Sequence, residues 1–87
     1  MKVLYFSSEA CKPCKAFMPI VKDVCDSLDL SLSILVREQA ESIFQQYNVM
    51  SVPTIITLKN NKPYWSYTGT MSKTELLMKL KQLQEIK

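Results

Sequence analysis

Residues 11–14 of the 87-residue chain read Cys-Lys-Pro-Cys, a Cys-x-x-Cys motif. The apolar run Val3–Phe6 precedes it and is typical of a strand covered on both faces. From Phe17 to Leu28, apolar residues recur every three or four positions, which predicts an amphipathic helix that begins near Cys11. The two cysteines are therefore predicted to lie at the junction between a strand and a helix.

The residues around this junction carry helix-start signals. Ser7, Ser8 and Glu9 are predicted to supply the capping groups of the helix. Pro13 suits the first turn, because the N–H that proline lacks would have no helical partner there. Pro19 lies inside the helix and is predicted to kink it.

The rest of the chain predicts three more strands and two more helices. The predicted strands are Leu30–Val36, Thr54–Leu58 and Tyr64–Tyr67, with a tight turn at Asn60-Asn61, and the predicted helices are Gln39–Tyr47 and the segment opened by the capping box Ser72–Glu75. The order β-α-β-α-β-β-α predicts an α/β fold with a single domain over residues 1–87. We expect a four-stranded mixed sheet flanked by helices on both faces, with its first two strands parallel.

The composition excludes several classes of chemistry. The chain has no histidine, which excludes a histidine base, histidine metal ligands and a histidine pH switch. Eleven Lys and Arg against eight Asp and Glu give a net charge of +3, which is too small and too dispersed for a nucleic-acid site. Neither a signal peptide nor a membrane-spanning apolar stretch is recognisable, so a soluble cytoplasmic protein is expected.

The Cys-x-x-Cys spacing favours dithiol–disulfide chemistry. On the first turn of a helix, side chains three residues apart lie on one face, roughly 5–6 Å apart at Cβ, so a disulfide can form and break with little backbone motion. Cys11 is predicted to be the nucleophile, because the helix N-terminus and Lys12 would stabilise its thiolate. Cys14 lies one turn into the helix and is predicted to resolve the mixed disulfide.

Two other interpretations of the pair remain open at this point. A zinc site needs four ligands, and apart from the pair the chain offers only Cys25 and carboxylates, so we expect no metal, although a metal cluster shared between two chains is an alternative. The spacing could also be fortuitous. Cys25 lies on the apolar face of the first predicted helix and is expected to be a buried, free thiol.

Three segments of the chain resemble the thioredoxin family: residues 6–14, 51–54 and 68–73. The resemblance covers nearly the whole chain and implies a thioredoxin-like fold in which Cys11 and Cys14 are the redox-active pair. It places Pro13 in the active-site loop and Pro53 at the family's cis-proline position. It also implies that the backbone of Val52 pairs with the substrate chain.

Four positions depart from the family's pattern. Ala10 stands where an aromatic residue is usual, and Lys12 stands where a small residue is usual. The family's buried acid in the first strand corresponds to Tyr5, and its lysine partner corresponds to Ile34. Because the resemblance assigns that acid to proton transfer with the second cysteine, Cys14 is expected to lack an internal base, so that water or a substrate group would serve.

Together these observations predict a minimal, glutaredoxin-sized thioredoxin-like protein that reduces protein disulfides. Cys11 and Cys14 would be catalytic, and Lys12, Pro13, Val52 and Pro53 would bind the substrate. No bound cofactor is expected beyond the Cys11–Cys14 disulfide. We expect a monomer that acts in electron transport and cell redox homeostasis, and the resemblance implies an electron donor such as a thioredoxin reductase. Two alternatives stay open: a glutaredoxin-like, glutathione-dependent reductase, or a thioredoxin-fold binding module without redox turnover.

Overall fold

The computed structural model describes residues 1–86. Its elements are β1 (Lys2–Ser7), α1 (Lys12–Ser27), β2 (Ser31–Val36), α2 (Glu41–Gln46), β3 (Thr54–Lys59), β4 (Lys62–Thr68) and α3 (Lys73–Glu85). The order β-α-β-α-β-β-α is the predicted one.

β1 lies in the interior of a four-stranded sheet whose strand order is β2-β1-β3-β4. It pairs in parallel with β2, where Phe6 is opposite Leu35, and antiparallel with β3, where Phe6 is opposite Thr54. β3 and β4 form an antiparallel hairpin. The predicted mixed sheet is confirmed, and the end of β1 lies beside the start of β3.

Two core clusters lie on opposite faces of the sheet, because successive side chains of a strand point to opposite sides. Val3 and Tyr5 of β1 belong to a cluster with α1 and α3, whereas Leu4 and Phe6 pack with Phe44 of α2. The rings of Phe6 and Phe44 meet edge to face with centroids 4.9 Å apart. Helices therefore flank both faces, as predicted, and β1 is buried from Val3 onwards.

The hairpin between β3 and β4 turns at the predicted residues. Asn60 and Asn61 have φ values of 54° and 63°, a left-handed conformation that asparagine tolerates well. β4 is longer than predicted, because strand pairing resumes directly after the turn at Lys62. Pro63 lies opposite Leu58 beside a bulge of this edge strand, where the missing N–H is tolerated.

The second helix is shorter than predicted. The pattern predicted a helix from Gln39 to Tyr47, but α2 covers only Glu41–Gln46. The N–H groups of Gln39 and Ala40 both donate to the carbonyl of Val36 at 2.9 Å, so these residues form the turn that leaves β2. This turn places the residues between β2 and α2 at the same edge of the sheet as the end of β1.

The third helix starts at the predicted capping box. The hydroxyl of Ser72 accepts the N–H of Glu75 at 3.1 Å, and the carboxylate of Glu75 accepts the N–H of Ser72 at 3.3 Å. Leu76 and Leu80 are fully buried in the cluster that includes α1. α3 therefore covers the sheet face that carries Tyr5.

Candidate active site

The helix that carries the two cysteines begins at the first of them. Cys11 is the N-cap residue, with φ −90° and ψ 101°, and its Sγ accepts the N–H of Cys14 at 3.2 Å. The prediction that Ser7, Ser8 and Glu9 supply the capping groups is wrong. The N–H of Cys11 donates to the carbonyl of Ser8 at 3.2 Å, so Ser8 and Glu9 lie in the turn between strand and helix, and Ser7 is the last residue of β1.

The two cysteines differ in their access to solvent. They form a disulfide with their Cα atoms 5.3 Å apart, within the usual span of such bonds. Cys14 is completely buried, whereas Cys11 is half-buried. A substrate disulfide approaching from solvent therefore meets the sulfur of Cys11 first.

The side chains around Cys11 are exposed and positively charged or apolar. Lys12 and Lys15 are exposed, as is Pro13. An open groove of about 340 Å³ runs beside the pair, and its lining is mainly apolar: Pro13, Ala16, Phe17, Ile20, Thr70 and Met71. Of the predicted substrate-binding residues, Lys12 and Pro13 thus lie at the surface next to Cys11.

Below the pair, Tyr5 occupies the position where the family resemblance placed an acid. Its side chain is completely buried, and its hydroxyl donates to the backbone carbonyl of Cys14 at 2.6 Å. Burial raises the pKa of Tyr5 to about 12, so the phenol is neutral at physiological pH. Ile34, at the position where the family resemblance placed the lysine partner of the acid, is the partner of Tyr5 in the parallel pairing of β1 and β2.

The loop before β3 forms the second part of the site. The Val52–Pro53 peptide bond is cis, in agreement with the resemblance. Pro53 is buried, Val52 is partly exposed, and the carbonyl of Pro53 accepts the N–H of Gly69 at 2.9 Å. Because Thr54 is opposite Phe6 in the sheet, this loop lies at the same edge as the loop that leads to Cys11.

Two residues that the sequence pattern did not single out connect these loops. Glu38 accepts the backbone N–H of Glu9 with its carboxylate at 3.0 Å. Arg37 donates from Nη2 to the carbonyl of Met50 at 3.1 Å, and its guanidinium lies 5.1 Å from the centre of the Phe44 ring. The turn after β2 therefore holds both the loop before the cysteines and the loop before Pro53.

The positions of Arg37 and Glu38 in the sequence could have identified them as residues of the site. Both directly follow β2, and the carboxyl ends of parallel strands meet at one edge of a sheet. The N–H of Glu9 lowers the pKa of the Glu38 carboxyl most, followed by the N–H of Glu38 itself; burial acts in the opposite direction, and the charge of Arg37 adds the smallest lowering effect. Arg37 and Glu38 both form hydrogen bonds with backbone groups, and no pattern of side chains in the sequence predicts such bonds.

The third cysteine takes no part in this site. Cys25 is buried and free, as predicted, and burial raises the pKa of its thiol to about 11. Within residues 1–86, no group of three Cys, His, Asp or Glu side chains lies close enough together to hold a metal ion. In the same part of the chain, no helix is long and apolar enough to cross a membrane.

Comparison with known proteins agrees with this geometry. The family model described as Thioredoxin matches residues 1–82. A thioredoxin of Staphylococcus epidermidis is 31% identical over 78 residues, which cover 87% of this chain and 75% of the relative. The chloroplastic thioredoxin Y of Oryza sativa is 26% identical over 83 residues, and there the match covers 93% of this chain but only 49% of the relative.

Solved structures show the same fold. The structure of thioredoxin 1 from Thermosipho africanus superposes with a TM-score of 0.88 at 25% identity, covering 98% of this chain and 96% of that one. A mutant thioredoxin from Halobacterium salinarum gives a TM-score of 0.89 at 18% identity, covering 98% of this chain and 75% of that one. The thioredoxin-like fold is therefore confirmed.

Proposed function

Because the chain belongs to the thioredoxin family, we propose that it is a thiol–disulfide oxidoreductase that reduces disulfides in protein substrates. One observation carries the proposal above the others. A Cys-x-x-Cys pair at disulfide distance begins α1, with Cys11 half-buried and Cys14 completely buried.

In the first step, the reduced Cys11 attacks one sulfur of the substrate disulfide. A bond forms between Cys11 and that sulfur, the substrate disulfide breaks, and the other substrate sulfur leaves as a thiolate. The N–H of Cys14 points at the Sγ of Cys11, and the positive end of the α1 dipole lies there. Both stabilise a thiolate at Cys11, and Lys12 adds a positive charge nearby.

In the second step, Cys14 loses its proton and attacks the sulfur of Cys11. The Cys11–Cys14 disulfide forms, the bond from Cys11 to the substrate breaks, and the second substrate thiolate leaves. The substrate has then gained two electrons and the protein has lost two. Since the two Cα atoms are only 5.3 Å apart on one helical turn, α1 does not need to unwind for this exchange.

The substrate chain is expected to lie between the two loops of the site. Val52 is partly exposed next to the buried Pro53, so its backbone is available for pairing with an extended peptide. Lys12 and Pro13 flank Cys11 on the other side, and the apolar groove beside Pro13 can take an apolar substrate side chain. These four residues are the proposed substrate-binding set.

Turnover requires an electron donor that reduces the Cys11–Cys14 disulfide again. We assign this role to a thioredoxin reductase, with no cofactor bound to the chain besides the redox-active disulfide. The same proposal places the protein as a monomer in the cytoplasm, in electron transport and cell redox homeostasis. Its support is the family and the similarity to the thioredoxin of Staphylococcus epidermidis.

The function is tested by trapping the mixed disulfide. A Cys14→Ser variant is incubated with host extract, and the species bound to Cys11 are identified by mass spectrometry. Cys11→Ser is the matched control, and both variants carry Cys25→Ala so that the buried thiol forms no adducts. Protein clients released by reductant, and absent from the control, support the proposal.

Two other outcomes would contradict it. Adducts with glutathione alone would identify a glutathione-dependent, glutaredoxin-like reductase. An absence of adducts, together with an intact non-covalent complex, would identify a binding module in which the disulfide does not turn over.

A further inference from the structure

The side chain of Tyr5 is buried in an apolar core, where a hydroxyl group needs an explanation. A hydroxyl without a partner in an apolar core destabilises the fold, and a phenylalanine would fill the same space without that cost. The hydroxyl has one partner, the carbonyl of Cys14, at 2.6 Å. The partner atom belongs to the cysteine that would resolve the mixed disulfide.

No buried carboxylate or amine lies near Tyr5 to accept the proton of that cysteine, because the buried polar side chains of residues 1–86 are Ser7, Thr54 and Thr57. Tyr5 itself is packed among apolar residues. Its neighbours in the sheet are Ile34 on β2 and Ile55 on β3, and the ring of Phe17 on α1 meets the Tyr5 ring edge to face at 6.0 Å. The other buried members of the same cluster are Val3, Val21, Val24, Cys25, Leu76, Leu80 and Leu83. Cys25 is the other titratable side chain among these members, and burial disfavours its thiolate as it disfavours the phenolate of Tyr5.

We infer that Tyr5 is a positioning residue, whose hydroxyl holds the carbonyl of Cys14 and the first turn of α1 in the geometry that resolves the mixed disulfide, without accepting a proton in that step. The inference rests on the proposed oxidoreductase function. In the resolving step the Cys14 proton goes to solvent or to the thiolate that the substrate released. The Cys14 sulfur then bonds to Cys11 as the Cys11–substrate bond breaks.

The hydrogen bond acts by limiting the motion of Cys14. The side chain of Cys14 must meet the Cys11–substrate bond in line, and a reaction of this kind slows when the reacting group spends less time in the aligned position. Removing one donor to the backbone of Cys14 should therefore slow resolution, but it should leave the first attack by Cys11 unchanged.

Tyr5→Phe removes the hydroxyl and keeps the ring. The two steps are followed separately by stopped-flow with a fluorescent peptide disulfide, and the mixed disulfide is quantified by acid quenching and mass spectrometry. We expect resolution to slow roughly 2- to 10-fold, the size that loss of one net hydrogen bond implies. The rate of the first attack, and the pH midpoint of resolution, should stay at the wild-type values.

Tyr64→Phe is the matched control, because it removes the hydroxyl of an exposed tyrosine on β4 that does not line the groove beside Pro13. It should change neither step. An unchanged resolution rate in Tyr5→Phe would overturn the positioning role. A shifted pH midpoint in that variant would also overturn it, because the hydroxyl would then take part in the proton transfer.

A measurement on the unaltered protein covers the case in which Tyr5→Phe does not fold. A hydrogen-bonded, buried hydroxyl proton of Tyr5 should give a slowly exchanging NMR signal with contacts to the first turn of α1, whereas rapid exchange would contradict the inference. This signal does not depend on turnover. If it is present and the wild-type protein exchanges no disulfides, the proposed function fails while the hydrogen bond itself stands.

Discussion

The candidate active site has an exposed half, formed by the half-buried Cys11 and the exposed Lys12 and Pro13, and a buried half, formed by Tyr5, Cys14 and Phe17. The exposed half is surrounded by solvent, by a helix N-terminus and by lysines, so charge on a sulfur is stabilised there. In the buried half, desolvation opposes any charge, as the raised pKa of Tyr5 shows. This difference supports the different roles that we propose for Cys11 and Cys14, which are identical side chains one helical turn apart.

The two halves should also differ in what they contribute to stability, and this is the largest effect that we expect. Phe17 is buried against Tyr5, so Phe17→Ala leaves a cavity and should destabilise the fold by about 3–5 kcal/mol. Lys15→Ala on the exposed side of the same helix should change stability by no more than about 0.5 kcal/mol. Urea unfolding of both variants measures the difference.

A small loss of stability in Phe17→Ala, below about 1 kcal/mol, would show that the buried half rearranges to fill the space. The buried half and the exposed half would then not differ in how much their side chains contribute to stability.

The exposed half should respond to charge. Lys12 is expected to stabilise the thiolate of Cys11, and with it the reduced form, so Lys12→Gly should lower the redox potential by roughly 5–20 mV. Equilibration of the disulfide with a glutathione buffer of known potential gives this value. Lys22→Gly is the control, because Lys22 is also exposed on α1 but lies several turns from the cysteines. An unchanged or higher redox potential in Lys12→Gly would show that Lys12 does not stabilise the reduced form.

The smallest effect concerns the hydrogen bond from the N–H of Glu9 to the carboxylate of Glu38, which holds the loop before the cysteines. The folded protein lowers the pKa of Glu38 from its ordinary value of 4.5, so its stabilising contribution is present above that value and is lost as the pH falls through the lowered pKa. Glu38→Ala should therefore be less stable than wild type at neutral pH, and the gap should close in acid.

Unfolding of Glu38→Ala in urea at pH 7 and at about pH 3 tests this dependence. Gln39→Ala, a change at the exposed neutral residue next in the chain, removes no carboxylate and should have the same effect on stability at both pH values. If the Glu38→Ala gap is the same at both pH values, the bond to the N–H of Glu9 does not depend on the charge of Glu38.

Much of the fold follows from local sequence patterns. The apolar run of β1, the three- and four-residue spacing of α1 and the Ser72–Glu75 capping box each encode an element through interactions within a few residues. The Asn60-Asn61 turn is equally local. The predicted start of α2 and the predicted cap of α1 were wrong for a common reason: the carbonyls of Val36 and Ser8 accept hydrogen bonds in turns, and hydropathy does not report those bonds.

The sequence by itself determined which chemistry is available: no histidine, two cysteines with redox spacing and a third on an apolar helix face. The sequence also showed that Tyr5 stands at the family's buried-acid position and that Pro53 stands at its cis-proline position. Only the tertiary structure decided what surrounds these residues. The Tyr5 hydroxyl reaches the Cys14 carbonyl nine residues away, and Glu38 reaches Glu9 across 29 residues. Such partners are brought together by sheet pairing and helix packing, so the assembled fold specifies contacts that no local pattern contains.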